Sequence, residues 1–414
     1  MQRFWHFSGR TNIIWVAMKM TNYPSRRLFF QKGKIFHNMI VLLDRMELVH
    51  PVLFMVAACL ALGGISYLFP EKRALAFSFP VAALAVESAV ILLGRRLEAL
   101  HGPFGGPFFL YFVGHAAALV IALVLPVEVV WKHLVNGILQ ATLLITFLYG
   151  SMIEPFMLRL RVDKAVLGDG GGAALRVLVI SDLHLERSGR REERALKLAR
   201  EFSPDLVLWP GDVSNLSFVD DPVTLEHGRA FISELAGLAP TYISLGTPEV
   251  DDLSWVKKLV EGTGAVLLHN ESAPFAVGEG KLELFAVTCD CGHDERDDRV
   301  RQVLSGADGA VSVIMCHTPD SIEAAAECGA NLYVAGHTHG GQVRVPLLGA
   351  PYTASRYGDR YSGGLYRVGG TTLVVSRGVG LEGAGAPRVR FMCPPEVVGL
   401  ELVLPGPGNR DQRS

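Results

Sequence analysis

Hydrophobic residues dominate the chain between residues 51 and 150, where nine of one hundred residues carry a charge. Four apolar runs follow one another at 51–69, 74–93, 103–127 and 128–150. A helix needs about 20 apolar residues to cross a bilayer, and each run is close to that length or longer. The pattern therefore predicts four transmembrane helices. Buried helices of a soluble protein are the alternative, but four long runs in succession argue against them.

A different pattern begins after residue 173. Short β-branched apolar runs alternate with segments of helical periodicity, which is typical of an α/β fold. We predict strands at 175–181, 205–209, 241–245, 265–269, 281–287, 310–316, 331–335, 371–376 and 397–403, and helices at 192–202, 226–238 and 253–260. The strand-rich end indicates a second, more antiparallel sheet. The predicted units are a basic N-terminal segment (1–50), four transmembrane helices (51–150), a linker (151–173), an α/β domain (174–404) and a polar tail (405–414).

Charge divides the chain at the same place. Residues 1–165 hold 16 Lys and Arg against 8 Asp and Glu, whereas the remainder has a net charge of −10. With four spans, 13 basic residues fall on the side of both termini and three on the other. This asymmetry predicts a multi-pass protein of the inner (plasma) membrane with a cytoplasmic α/β domain. The acidic domain has no basic stripe interleaved with aromatic residues, so no nucleic-acid partner is expected.

The N-terminal segment and the cysteines say less about the function and the cellular compartment than the features above. The first 50 residues are too long before the first apolar run to be a signal peptide, and they fit either an interfacial basic helix or an upstream extension. Of six cysteines, all but Cys59 follow residue 173, without a repeating spacing, which favours a reducing compartment over a disulfide framework. Glu87 and His133, in the apolar runs, are functional candidates or polar contacts between helices.

Residues that bind metals follow four of the predicted strands directly. Two carboxylates and four histidines stand at these strand ends: Asp182, His184, Asp212, His317, His337 and His339. Ligands gather at the carboxyl ends of strands in α/β folds. This mixture of oxygen and imidazole donors suits Mn, Fe or Zn better than Ca or Mg. A carboxylate that bridges two such ions would let them hold a hydroxide and clamp an in-line phosphoryl displacement.

The order of these motifs resembles that of the calcineurin-like metallophosphoesterases. The runs GHTHGGQVRVPLLG (336–349) and SRGVG (376–380) are similar to the bacterial membrane-associated branch of that family, and the resemblance covers residues 174–404. It implies a four-layer α/β/β/α sandwich with two divalent metal ions between two sheets. By position in the motifs, the first ion would be held by Asp182, His184 and His339, and the second by His317 and His337, with Asp212 as the bridge.

One motif departs from the family's pattern. The family places Gly-Asn-His-Asp/Glu after the third strand, whereas this chain has Gly-Thr-Pro-Glu at 246–249, a placement anchored by strand 241–245 and by Asn270. Thr247 would replace an amide ligand of the second ion and weaken its binding. Pro248 would replace a histidine that contacts the phosphate, and the loss of such an acid–base residue costs about 10²–10⁴ in rate. Glu249 remains a candidate catalytic residue.

Other side chains could assist the same chemistry. His269 or His293 could substitute for the missing histidine. Arg344 is a candidate phosphate clamp, because the guanidinium fork matches phosphate oxygens, and a solvated loop is the alternative interpretation. Arg356 and Arg360 lie in the same glycine-rich loop and are weaker candidates. The predicted catalytic residues are therefore Asp212, Glu249 and Arg344.

These features together predict a membrane-anchored, metal-dependent phosphoesterase that hydrolyses a phosphodiester or a pyrophosphate. A lipid-linked substrate is preferred, because the helices would hold the site near the bilayer. The expected partners are membrane lipids and the phosphoester substrate. The alternative, motivated by Thr247 and Pro248, is a catalytically weak or inactive module that binds metal or phosphate and is coupled to the membrane region.

Overall fold

The computed structural model describes residues 41–406, apart from 44, 47, 48, 50, 70, 97–104, 279, 291, 307–310, 384 and 385. Most of the predicted basic segment, most of the predicted polar tail and Cys291 lie outside the described residues. In the described part from Pro51 onward, helices and strands are numbered here in chain order. The helices are α1 (Pro51–Tyr67), α2 (Arg73–Arg96), α3 (Gly105–Val124), α4 (Val129–Met152), α5 (Arg190–Phe202), α6 (Pro222–Ala236), α7 (Leu253–Val260), α8 (His293–Leu304) and α9 (Ile322–Glu327).

Helices α1–α4 form the apolar part of the chain. Among the described residues, three segments are long and apolar enough to cross a membrane, namely Arg73–Ile91, Gly106–Val124 and Val129–Phe156. Helix α1 has 17 residues. At a rise of 1.5 Å per residue it reaches only about 26 Å, short of a hydrocarbon core of about 30 Å. Three of the four predicted spans thus have the length and composition of membrane-spanning helices.

Polar side chains of these helices face each other inside the bundle. Glu87 of α2 and His115 of α3 are both buried, with 3.0 Å between Oε2 and Nε2. The second ring nitrogen of His115 lies 2.5 Å from Oε1 of Gln140 on α4. His133 places Nε2 3.1 Å from the carbonyl oxygen of Glu71. Glu87 and His133 therefore both make polar contacts between chain segments, the arrangement expected of ionisable residues among apolar helices.

The rest of the described chain forms two six-stranded sheets. The first has the order β1-β12-β2-β3-β4-β5 and the second the order β10-β11-β9-β8-β7-β6. The strands are β1 (Arg159–Val166), β2 (Ala174–Val179), β3 (Leu206–Pro210), β4 (Thr241–Ser244), β5 (Val266–Leu268), β6 (Ser272–Val277), β7 (Gly280–Val287), β8 (Val311–Cys316), β9 (Leu332–Ala335), β10 (Gly364–Val368), β11 (Thr371–Val375) and β12 (Glu396–Val403). The predicted α/β architecture with two sheets is confirmed.

Alternation along the strands assigns each face to a layer. Val177 and Val179 of β2 point into a core shared with the second sheet, whereas Leu178 packs with Phe202 of α5 and Trp255 of α7 in a core on the other face. Helices α8 and α9 cover the outer face of the second sheet. That sheet is antiparallel only at its edges, β10 with β11 and β6 with β7, and parallel in its centre. The parallel centre brings carboxyl ends of strands to one edge.

The structure corrects the predicted linker. Residues 159–166 form β1, which pairs in parallel with β12 along its whole length. Four of its eight residues are charged (RLRVDKAV), and Arg161 forms ion pairs with Asp163 at 2.9 Å and with Glu396 of β12 at 3.2 Å. The charged positions concealed the strand in a sequence pattern that looked for apolar runs. The two-sheet domain therefore begins near Arg159.

The last of the apolar helices, α4, is attached directly to this domain. Helix α4 continues into a 3₁₀ turn at Glu154–Phe156 and then into β1. The buried carboxylate of Glu154 accepts hydrogen bonds from the backbone N–H groups of Met392 and Cys393. The carbonyl of Gly150, in the last turn of α4, accepts a hydrogen bond from the backbone N–H of Arg390 at 2.9 Å. The 390–393 segment thus joins the helix end to the domain.

Candidate metal centre

Six side chains meet where parallel strands of both sheets end. Asp182 and His184 follow β2, Asp212 follows β3, His317 follows β8, and His337 and His339 follow β9. They form two groups, each with its ligand atoms within 4.8 Å of one another: Asp182 with His184 and His339, and Asp212 with His317 and His337. All the metal ligands predicted from the sequence are thus brought together in the structure.

The backbone is strained at this centre. Asp182, His184, Asp212, His337 and His339 all have positive φ, between 42° and 68°. Left-handed backbone is uncommon for residues other than glycine and costs on the order of 1–3 kcal/mol at each strained position. Such strain persists only where the surrounding structure imposes it, and it concentrates at functional sites. Five strained residues among six ligand candidates therefore indicate a built site.

Asp212 lies between the two groups. Its Oδ2 is 3.5 Å from Nε2 of His184 in the first group and 3.2 Å from Nε2 of His317 in the second. The backbone N–H of Thr247 donates to Oδ1 at 2.6 Å and fixes the carboxylate. This position suits a carboxylate that bridges two metal ions.

Each group also has its own short contacts. In the first, His184 and His339 face each other with 3.0 Å between their Nε2 atoms, and Nε2 of His339 is 3.5 Å from Oδ1 of Asp182. In the second, Nδ1 of His337 is 3.1 Å from Nε2 of His317. Nδ1 of His317 lies 2.7 Å from the carbonyl oxygen of Pro210, an arrangement that fixes the ring and directs Nε2 inward.

The donor set fits divalent metal ions. The two groups offer carboxylate oxygens and imidazole nitrogens, the donors that Mn, Fe and Zn accept. Oδ2 of Asp182 is fully buried and has no hydrogen-bond partner among the described residues. An orphaned carboxylate oxygen is costly in a protein interior unless a cation compensates it. The residues present therefore fit a pair of ions, one in each group.

Electrostatics at the centre follow from burial and from the carboxylates. Burial lowers the pKa of His184 and of His337 to about 4, so both rings are neutral near pH 7 and have a lone pair for a metal. Burial opposes the charged form of His317 as well, but the adjacent Asp212 carboxylate raises the pKa of that ring to about 10. Burial raises the pKa of Asp182 to about 6.

Three buried or half-buried residues at the centre were not predicted. Asp251 accepts hydrogen bonds from the backbone N–H groups of Asp212, Gly246 and Val213 at 2.6, 2.9 and 3.1 Å, and so joins the loops after β3 and β4. The buried guanidinium of Arg390 lies 3.4 Å from Nδ1 of His339 and donates to the carbonyl of Gly380 at 2.7 Å. No motif marks either residue, because each acts on backbone groups supplied by distant segments.

Glu382 is the third. Its Oε2 lies 3.7 Å from Nε2 of His339, and its side chain is half-buried. Burial, with the negative charge of Asp212, raises its pKa to about 7. Two atoms bound to one ion at about 2.1 Å can be at most about 4.2 Å apart, so Glu382 can add an oxygen ligand to the first group. In the sequence, Glu382 could have been noticed only by its position two residues after SRGVG. A single glutamate there forms no motif with the other ligands.

The Gly-Thr-Pro-Glu motif at 246–249, which departs from the family's pattern, lies at the edge of the second group. The hydroxyl of Thr247 is 3.2 Å from Oδ2 of Asp212 and 3.3 Å from Nε2 of His317. Pro248 and Glu249 are exposed in the turn that follows. None of the contacts described for this chain joins Glu249 to either group, and its catalytic role stays a prediction.

The other side chains that were predicted to assist catalysis make contacts outside the two ligand groups. Arg344 forms a two-pronged ion pair with Asp359, at 2.8 and 2.9 Å, and donates to the carbonyl of Gly340 at 3.0 Å. Its guanidinium thus fastens the loop after His339. Among the described contacts, none brings His269 or His293 to the centre, and His293 faces Asp320 at 3.4 Å. The clamp role of Arg344 also stays a prediction.

The family model for calcineurin-like phosphoesterases matches residues 175–341, the stretch that contains all six ligand candidates. The chain carries a calcineurin-like phosphoesterase domain. This calcineurin-like domain has curated relatives in two bacteria. A phosphodiesterase of Escherichia coli, YaeI, is 28% identical over 62% of this chain and 93% of its own length. The uncharacterized metallophosphoesterase YkuE of Bacillus subtilis is 26% identical over 61% of this chain and 88% of its own.

A further relative is named as a transmembrane protein. It is a transmembrane protein with metallophosphoesterase domain from Bos taurus, 25% identical over 51% of this chain and 49% of its own length. Among solved structures, a dimetal phosphatase from Danio rerio aligns with 52% of this chain and 89% of its own, at 12% identity and a TM-score of 0.34. That structural likeness is too low to support a conclusion about this chain.

Proposed function

We propose that this protein is a metal-dependent phosphoesterase anchored in a membrane by its N-terminal helices. The observation that carries the proposal is the position of Asp212, whose Oδ2 lies within 3.5 Å of a histidine nitrogen from each of two separate ligand groups. Two divalent ions held this way would polarise phosphoryl oxygens and lower the pKa of a water molecule. The phosphodiesterase named among the relatives supports the same reaction class.

The chain's own residues would orient these parts. His317, fixed through Pro210, and His337 would hold the second ion while Asp182, His184 and His339 hold the first, with Asp212 shared. Thr247 offers a neutral hydroxyl oxygen where the family has an amide. A hydroxyl is a weaker metal donor than an amide oxygen, so we expect the second ion to bind less tightly than the first.

The altered motif restricts the substrate. Pro248 has no titratable group, and a positioned acid is most needed when the leaving group is a strongly basic alkoxide. A pyrophosphate releases a phosphate that needs no proton at neutral pH. We therefore propose a pyrophosphate or an activated phosphodiester as the substrate, with a lipid-linked one preferred because helices α2–α4 place the domain beside a bilayer.

The topology belongs to the same proposal. With four spans, as the sequence predicts, the excess of basic residues on the side of both termini supports a cytoplasmic domain in the inner or plasma membrane. Protease treatment of sealed inverted vesicles should digest the domain, whereas vesicles of native orientation should protect it. Digestion in the native orientation only would overturn this topology.

The exposed Pro248 and the weakened second group favour a second candidate function. In that alternative, the domain binds metal or a phosphate ligand without turnover and is coupled to the helices. Because both functions need metal, metal content alone does not separate them.

The experiment that tests the enzyme uses the full chain in lipid nanodiscs. Metal content is measured by elemental analysis after supplementation with Mn, Fe or Zn, and turnover is measured on bis(p-nitrophenyl) phosphate and on a polyprenyl pyrophosphate. Metal-dependent turnover that is lost in Asp212→Ala supports the enzyme. Two ions per chain without turnover, together with turnover in a Thr247→Asn, Pro248→His variant, supports the binding module and overturns the enzyme.

A further inference from the structure

The most exposed leucines of the described chain lie in one turn after the metal centre. Leu347 is fully exposed, at 107%, and Leu348 is 80% exposed. The turn is closed by backbone hydrogen bonds from Val345 to Gly349 at 2.8 Å and from Gly349 to Val345 at 3.0 Å. Leu347 has a φ of 68°, which leucine rarely adopts. The backbone thus holds both leucines outward instead of letting them fold onto the domain.

This turn is fastened to the end of the last membrane helix. The backbone N–H of Arg344 donates to the carbonyl of Phe391 at 2.9 Å, and the N–H of Phe391 donates to Gln342 at 2.9 Å. The ring of Phe391 packs edge-on against Tyr149 of α4, with 6.0 Å between centroids. Strand-like pairing therefore links the leucine turn to the last turn of a candidate membrane span.

A second set of exposed apolar side chains surrounds the same helix end. Met152, Ile153, Phe156 and Met157 are each 37–51% exposed, and Met392, beside Phe391, is 50% exposed. Tyr149 precedes them, at a helix end where tyrosine is typical of the membrane–water boundary. Exposed apolar patches of this kind mark interaction surfaces.

We propose that the 345–349 turn inserts into the surface of the bilayer that its own helices cross. The bilayer is chosen as the occupant because the segment that leads into the turn is hydrogen-bonded to Phe391. The ring of Phe391 packs on Tyr149 at the helix end, where hydrocarbon would give way to water. Fixed, outward-facing leucines gain most from an apolar medium when they need not rearrange to reach it.

The proposal deepens the proposed function and depends on it for its consequence. The turn begins six residues after His339, and Arg344, between them, fastens the segment through Asp359 and Gly340. Insertion of the turn would hold the metal centre against the headgroup layer. The substrate class is then a phosphoester at headgroup depth whose apolar portion stays in the bilayer.

Insertion is measured with a fluorescent label. Leu348→Cys is labelled with the environment-sensitive dye NBD in a Cys59→Ser, Cys328→Ser background, and the labelled background supplies the blank. The protein is placed in nanodiscs of phosphatidylcholine and phosphatidylglycerol with or without doxyl-labelled lipid. The matched control is Val266→Cys. Val266 is exposed and lies on β5, at the edge of the first sheet farthest from β1.

We expect NBD at position 348 to shift to shorter wavelength, to be quenched by doxyl lipid and to be shielded from iodide. NBD at position 266 should show the reverse. Equal iodide quenching at both positions overturns the proposal. A blue shift without doxyl quenching, accompanied by self-association in solution, also overturns it and assigns the turn to contact between copies of the chain.

A second arm separates this proposal from the proposed function. The variant Leu347→Asn, Leu348→Ser keeps a residue suited to positive φ at position 347 and removes the apolar surface. We expect it to hydrolyse bis(p-nitrophenyl) phosphate like the parent and to lose activity on a bilayer-embedded lipid pyrophosphate. Equal loss on both substrates overturns the role of the turn in access. If the parent hydrolyses neither substrate, the proposed function fails while the NBD result still decides insertion.

Discussion

Gly336 provides a direct test of the first ligand group. A Cβ atom at this position would lie 2.2 Å from Oδ2 of Asp182 and 2.8 Å from both Cβ and Oγ of Ser181. Non-bonded atoms of this kind prefer about 3.5 Å or more, so Gly336→Ala must displace the Asp182 carboxylate by roughly 1 Å. The φ of Gly336 is not positive, so the backbone itself accepts alanine. The substitution therefore perturbs the carboxylate and not the chain direction.

The expected magnitude follows from these distances. Overpacking costs about 1–3 kcal/mol of the free energy of unfolding. Disturbance of residues that orient metal ligands typically costs 10–100-fold in metal affinity, and displacement of a ligand itself should cost at least about that much. We therefore expect Gly336→Ala to weaken Mn or Zn binding at the first group by about 100-fold and to lower the free energy of unfolding by about 1–3 kcal/mol.

The assay is calorimetric titration of metal into the full chain in nanodiscs, with thermal unfolding of the metal-free protein alongside. Gly370→Ala is the matched control, because a Cβ there has no neighbour within 4 Å and the φ is likewise not positive. Since Gly→Ala at a tolerant site stabilises by about 0.4–1 kcal/mol, the control should melt at or slightly above the parent temperature. Unchanged metal affinity in Gly336→Ala would refute the assignment of Asp182 as a ligand.

Three further predictions concern the same centre. The double variant Thr247→Asn, Pro248→His should raise the affinity for the second metal, measured by titration. It should also raise turnover of a substrate with a poor leaving group by about 10²–10⁴, measured by steady-state kinetics. Unchanged affinity would show that Thr247 already serves as a full ligand. Glu382→Gln should lower the affinity for the first metal by about tenfold in calorimetry. The exposed Glu249→Gln is the control for metal affinity. Equal affinities in the two variants would place Glu382 outside the coordination shell. Because Asp212 raises the pKa of His317 to about 10, the ring is protonated near pH 7.5 and must lose its proton to bind metal. Titrations in buffers of different ionisation enthalpy should therefore show release of about one proton for the metal of the second group, and a heat independent of the buffer would contradict this assignment.

Much of the fold could be predicted because buried parallel strands are short apolar runs. The strands that carry Asp182, Asp212 and His317 all show this pattern, and each ligand stands directly after its strand. β1, β6 and β10 were missed, and all three are edge strands. Charged residues in β1, a proline in β6, and a glycine and an arginine in β10 interrupt the apolar run that identifies a buried strand.

The ligand set could be predicted, but its supporting residues could not. Histidines and aspartates after strands are visible locally, whereas Asp251 and Arg390 act on backbone groups of other segments. Glu382 reaches His339 only because Gln342 accepts the N–H of residue 382 at 2.9 Å and sets the path of that loop. Such long-range contacts leave no periodic mark in the chain.

The pairing of β1 with β12 has a consequence for biosynthesis. The two strands are adjacent in the sheet, yet one precedes almost the whole domain and the other ends it. At a translation rate of about 5–20 residues per second, β1 waits for roughly 10–50 s before its partner leaves the ribosome. During that interval the neighbouring edges of β1 and β2 are both open, while the upstream apolar helices have already left the ribosome. The four charged residues of β1 protect this unpaired edge from pairing with other chains, since charged edge strands resist aggregation.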